Sequence, residues 1–153
     1  MRKIMKNYNE LKHTMESLLS SLKISYEPTE ALTWAEPDLS YSIWISPPEK
    51  WASAGALEGL LYLRESDFTV NLLVFNICDA KDDNKLDAFY KIVNDANDYI
   101  ATGNFVVCPD RREIIYHSCA YCGNDFRALS DGLLSFQLKT FRRGLEKLVT
   151  ELT

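Results

Sequence analysis

The sequence predicts an α+β fold: a mainly antiparallel five-stranded sheet packed with amphipathic helices. Three observations carry this prediction. Segments with period-2 alternation come in pairs, each pair joined by a short polar turn, which is the pattern of hairpins. Three segments with apolar residues at steps of three and four flank and separate those pairs, which is the pattern of helices with one buried face. Of the 153 residues, 46% are hydrophobic and 25% charged, a balance that supports one ordinary core. A length of this kind fits a single domain spanning residues 1–153.

Tyr8, Leu11, Met15, Leu18 and Leu22 fall on one face of a helix expected from about Ile4 to Leu22. Pro28 lies beyond its end, where the helical ladder cannot continue. Tyr41, Ile43 and Ile45 alternate with Ser42, Trp44 and Ser46, a strand stopped by Pro47 and Pro48. Leu57 to Arg64 reads as the next strand. Glu65, Ser66 and Asp67 then break the chain before a β-rich run from Phe68 to Ile77.

A polar loop from Asp79 to Asn84 leads to a second helix on Leu86, Phe89, Tyr90, Val93, Ala96 and Ile100, which Gly103 ends. Phe105 to Cys108 and Glu113 to Cys119 flank Pro109-Asp110-Arg111-Arg112 and form a second hairpin. The last helix carries Leu133, Leu134, Phe141, Leu145, Leu148 and Leu152. Ser130 and Asp131 mark its start, so that Asp125 to Leu129 forms a separate turn. The order is αβββαββα.

That order, with Val93-Asn94-Asp95-Ala96-Asn97, Gly103-Asn104-Phe105-Val106-Val107 and Glu113-Ile114-Ile115-Tyr116, resembles the YbjN family of bacterial proteins and the type III secretion chaperone-like fold. The resemblance implies a nonenzymatic protein that binds other proteins and forms a homodimer. It brings no catalytic residues with it.

The formal charge of -5 argues against a chain devoted to phosphate backbones, and Lys139, Arg142, Arg143 and Lys147 read as a solvated helix face; no nucleic-acid partner is expected. The N-terminus lacks the apolar stretch of a signal peptide, and no apolar run is long enough to cross a bilayer. A cytoplasmic location, no membrane association and reduced thiols are therefore expected.

No Gly-x-Gly-x-x-Gly, Walker A or Gly-x-Ser-x-Gly pattern is present. His117-Ser118-Cys119-Ala120-Tyr121-Cys122 is the sharpest local pattern, since two thiols at this spacing bind zinc or form a redox pair. A zinc site would need Cys78, Cys108 and His117 to converge on Cys119 and Cys122. Without that convergence the cysteines are structural, and Ser at both 119 and 122 should leave the fold intact. Cys119 and His117 share a strand face but lack an orienting acid. His13 belongs to the polar side of the first helix.

Asp79, Asp82, Asp83 and Asp87 fail the EF-hand pattern, with Asn84 and Tyr90 where Gly and Glu are required. Trp34, Trp44 and Trp51 gather around the first strand and offer aromatic area for an interface. The sequence therefore points to a noncatalytic protein-binding module, chaperone-like or regulatory. No catalytic residue, metal or cofactor is assigned. The alternative is a thiol-redox or zinc-binding protein centred on Cys119 and Cys122.

Overall fold

A computed structural model describes residues 8–30, 39–79 and 83–152. Among them the fold is α+β, a six-stranded antiparallel sheet with three α-helices. The elements are α1 (Tyr8–Ser21), β1 (Ser25–Pro28), β2 (Leu39–Ile45), β3 (Leu57–Arg64), β4 (Thr69–Asp79), α2 (Asp83–Tyr99), β5 (Asn104–Cys108), β6 (Glu113–Tyr121) and α3 (Asp131–Leu152). Two 3₁₀ turns, Glu49–Ala54 and Asn124–Phe126, precede β3 and α3. In space the strands run β1-β2-β3-β4-β6-β5, every neighbouring pair antiparallel.

The expected five strands and αβββαββα order need one correction, because β1 adds a sixth strand at the edge beside β2. Its four residues, mostly exposed and closed by Pro28, carry no run of alternating apolar residues. What holds it is tertiary. Tyr26 meets the Tyr41 ring edge-on at 5.7 Å, and Pro28 is tolerated because an edge strand has one unpaired side. β4 also runs to Asp79, past the expected end at Ile77, through a bulge between Val74 and Cys78. Residues 1–7, and with them the expected helix start at Ile4, lie outside the described residues. So does Trp34.

All three helices pack on one face of the sheet. Met15 and Leu19 of α1, Phe89, Val93 and Ala96 of α2, and Leu134, Phe141, Leu145 and Leu148 of α3 join one buried cluster with the inward residues of the strands. The start of α3 is as expected: the Leu133 N–H donates to Ser130 Oγ at 3.2 Å, a helix N-cap.

The segment that carries the family resemblance is a packed structural unit. The Asn97 side chain of α2 donates from Nδ2 to the Phe105 carbonyl at 2.9 Å and accepts the Phe105 N–H on Oδ1 at 2.7 Å. Asn97 therefore stands in for a seventh strand at this point of the β5 edge. Phe105 itself packs at 4.9 Å from the Tyr116 ring and 6.0 Å from that of Phe141. Gly103, at φ 80°, leaves room for the Tyr116 hydroxyl, which a Cβ there would strike. On α3, a Cβ at Gly144 would lie 2.5 Å from the Phe105 ring.

Candidate functional site

The structure separates the cysteines that the sequence sets side by side. Along β6, Ser118 is buried while His117 and Cys119 are exposed, so the strand alternates between the helix side and the open face of the sheet. Cys119 lies on the open face. Cys122, just past the strand, is fully buried in the helix-side core, with its backbone N–H bonded to the Phe68 carbonyl at 2.8 Å. Burial pushes its thiol up to about 11. The two sulfurs of this pair thus occupy opposite faces.

Convergence with the remaining cysteines fails for a geometric reason. Cys108 sits opposite Glu113 and Cys78 opposite Ile114, whereas Cys119 lies six residues further along β6 from Glu113, about 20 Å at strand rise. Among the described residues no three His, Cys, Asp or Glu side chains come together as a metal site. The expectation for a Cys→Ser double substitution now divides. Cys119→Ser is expected to change stability by less than about 0.5 kcal/mol, and Cys122→Ser to cost about 1–3 kcal/mol by burying a hydroxyl among apolar groups. Urea unfolding of the two single variants separates these outcomes.

On the open face the ladder assembles a polar chain that no short motif encodes. Asn71 of β4 lies directly opposite Cys119, and beside that row His117 Nε2 lies 3.3 Å from Asn71 Oδ1. Asn71 Nδ2 donates to Thr69 Oγ1 at 2.9 Å, and Thr69 Oγ1 donates to Asp67 Oδ1 at 2.6 Å. Arg64 closes the chain on Asp67, Nη2 to Oδ2 at 2.5 Å, and holds that carboxyl below its usual range. A carboxylate only accepts, so the direction of every donor is fixed: Thr69 gives its proton to Asp67 and receives one from Asn71 Nδ2. Asn71 then presents Oδ1 to the imidazole, and His117 must carry its proton on Nε2.

Partial desolvation of the otherwise exposed His117 ring, and secondarily the Arg64 charge, lowers its pKa below the ordinary value. Tyr62, also on this face, is raised by burial. The group that orients His117 is thus Asn71, an amide rather than the acid sought in the sequence. Forty-six residues separate the two, so only strand register reveals the pairing.

A cleft of about 800 Å³ opens at the other end of the core, where the 3₁₀ turn Glu49–Ala54 and the β4 bulge face the first turns of α2. Trp51, Leu57, Phe75, Ile77, Phe89 and Ile92 supply its apolar wall, while Glu58, Asn76 and Lys85 add polar atoms. Its size lies within the range of sites that take small ligands or anchor side chains. Asn76, at φ 51°, turns the backbone where the bulge breaks register, which leaves an end of the sheet open toward α2.

Of the three tryptophans, Trp44 and Trp51 are among the described residues. Trp51 lines the cleft, and Trp44 is half-buried on β2, opposite in direction to buried Ile43 and Ile45. Asp79 ends β4 and Asp83 begins α2, while Asp82 lies outside the described residues. His13 is exposed on α1. On α3, the Arg143 guanidinium lies 4.8 Å from the Tyr99 ring centroid and Lys147 pairs with Glu151 at 3.5 Å, so two of the four basic residues have local partners. No helix among the described residues is long and apolar enough to cross a membrane. Comparison with known proteins matches no family model, no curated protein and no solved structure.

Proposed function

We propose that this chain is a noncatalytic protein-binding module, chaperone-like or regulatory in role, that acts in the cytoplasm as a homodimer and seats apolar side chains of a protein partner in the cleft beside Trp51. The cleft is the observation that carries this reading. It joins an apolar wall to a few polar atoms at its mouth, the combination that receives an anchor side chain and fixes its direction. The YbjN and secretion-chaperone reading is supported by element order: with the short edge strand β1 set aside, the remaining elements run αβββαββα. Exposed Tyr90, Tyr99 and Phe136 on α2 and α3 supply apolar area for self-association.

The test uses Ala88→Arg, which fills the cleft from an exposed position on α2, beside Glu146→Arg on the outer face of α3. A protein that co-purifies with the wild type should be lost at least about tenfold with Ala88→Arg and retained with Glu146→Arg, the loss of about 1.4 kcal/mol of binding. Equal retention by both variants removes the cleft from the reading. Light scattering over a concentration series tests the dimer, and a monomeric mass at high micromolar concentration refutes it.

A further inference from the structure

We propose that the segment seated in the cleft is an extended one that carries a lysine or arginine between two apolar residues, the cation held by Glu58 at the open face of the sheet and both apolar neighbours on the helix side. The inference rests on the cleft being the partner's seat and names the chemistry of what enters it. It is carried by the way the sheet parts beside the cleft.

The β3–β4 ladder stops at the Gly59–Val74 pair, and the β4–β6 ladder lapses between Val74 and Cys78. Past Gly59, Leu57 and Glu58 of β3 pair with β2, while Phe75 and Ile77 of β4 run along the opposite lip of the cleft. A continuous ladder keeps the side chains of its two faces apart. Here both faces line one cleft. Leu57 and Ile77 pack with the helix-side core, whereas Phe75 packs with Leu60, Tyr62 and Leu73 on the open face, to which Glu58 also belongs by alternation. The cleft therefore reaches both faces through the parted end of the sheet. A chain that follows it in extended form sends successive side chains to opposite faces, as the strands on either side do; a helix gathers its apolar residues at steps of three and four and meets one face alone.

Charge decides which face takes which residue. On the helix side the wall is Ile77, Phe89, Ile92 and Leu152, which calls for apolar neighbours. The charged residues of the cleft are Glu58, Lys85 and Glu151. Glu151 pairs with Lys147 on its own helix at 3.5 Å. Glu58 is exposed, lies opposite Trp44 on β2 and, among the described residues, pairs with no cation. A lysine or arginine on the open-face side of an entering segment completes a cross-strand ion pair with it, on the same side as the Phe75 ring, whose face also attracts a cation. An acidic residue there would meet a carboxylate in a chain of net charge -5.

The experiment titrates the full chain with the blocked peptide Thr-Val-Lys-Val-Thr and reads backbone amide shifts by two-dimensional NMR. Two control peptides accompany it: one with glutamate in place of lysine, and one with the same residues in the order Val-Lys-Thr-Thr-Val. Glu58 is exposed, so Glu58→Lys keeps the fold, which circular dichroism verifies. The expected result is that the first peptide moves the amides of Leu57, Ile77 and Ile92 and binds about fivefold tighter than either control, and that Glu58→Lys reverses the order, the glutamate peptide then binding about fivefold tighter than the lysine one. Equal binding of the lysine and glutamate peptides, or a preference that survives Glu58→Lys, overturns the pairing with Glu58. Equal or tighter binding of the reordered peptide overturns the extended form. If no peptide moves these amides the inference falls, and the cleft is then judged by Ala88→Arg alone: loss of the co-purifying protein keeps it as the partner's seat, and retention removes it.

Discussion

Phe105→Ala is expected to cost about 3–5 kcal/mol, a large share of the roughly 5–15 kcal/mol that holds a domain of this kind together. Phe105 is 1% exposed and lies where three elements meet: β5, which carries it, β6 through Tyr116, and α3 through Phe141. Tyr116 and Phe141 also touch each other, with centroids 4.8 Å apart, so the three rings support one another as a closed cluster. Gly144 on α3 has no side chain with which to fill the vacated space. A true cavity would remain. Urea unfolding should show the midpoint falling with little change in slope; a loss below about 1 kcal/mol would mean that α3 collapses onto the gap.

Asn97→Ala should cost about 2–3 kcal/mol, although Asn97 itself is only partly buried. In an antiparallel pair every second residue turns its N–H and C=O away from the partner strand. At Phe105 those two groups point out of the sheet and both end on the Asn97 amide. Alanine leaves the two without partners next to a buried ring. It also unblocks an edge strand, Asn-Phe-Val-Val-Cys, that carries no charge or internal proline to discourage pairing with another chain. Hydrogen exchange at the Phe105 amide should accelerate together with the loss of stability. Asn97→Asp keeps the acceptor for the N–H and loses the donor to the carbonyl, so it should fall between wild type and alanine. An alanine variant with unchanged exchange at Phe105 would show that water takes over both bonds.

Both predictions bear on the meaning of the Asn97, Gly103, Phe105 and Tyr116 pattern. Each of these residues has a packing or hydrogen-bonding task in joining α2, β5, β6 and α3. The residues that support a family resemblance therefore account for how the fold closes.

Local chemistry determined the helices and most of the strands. The α2 stripe of Phe89, Val93 and Ala96, the alternation in Tyr41, Ile43 and Ile45, and the Ser130 cap are each complete within a few residues, because helix and strand periods repeat faster than the elements end. Strand β1 was not legible, since four exposed residues gain order only from the neighbour that pairs with them. The placement of the thiols and of the polar chain depended on register. A spacing of three residues placed Cys119 and Cys122 close together in sequence, yet the pleat and the turn after β6 sent one to solvent and the other into the core. His117 and Asn71 met only because β4 and β6 lie side by side, and the cleft exists only where a bulge, a 3₁₀ turn and the start of α2 come together. The sequence by itself determined which segments could become helices and strands, because periodicity is a local property of the chain. Which side chains share a face, a cleft or a proton was decided by the tertiary structure, because those relations are set by pairing between residues distant along the chain.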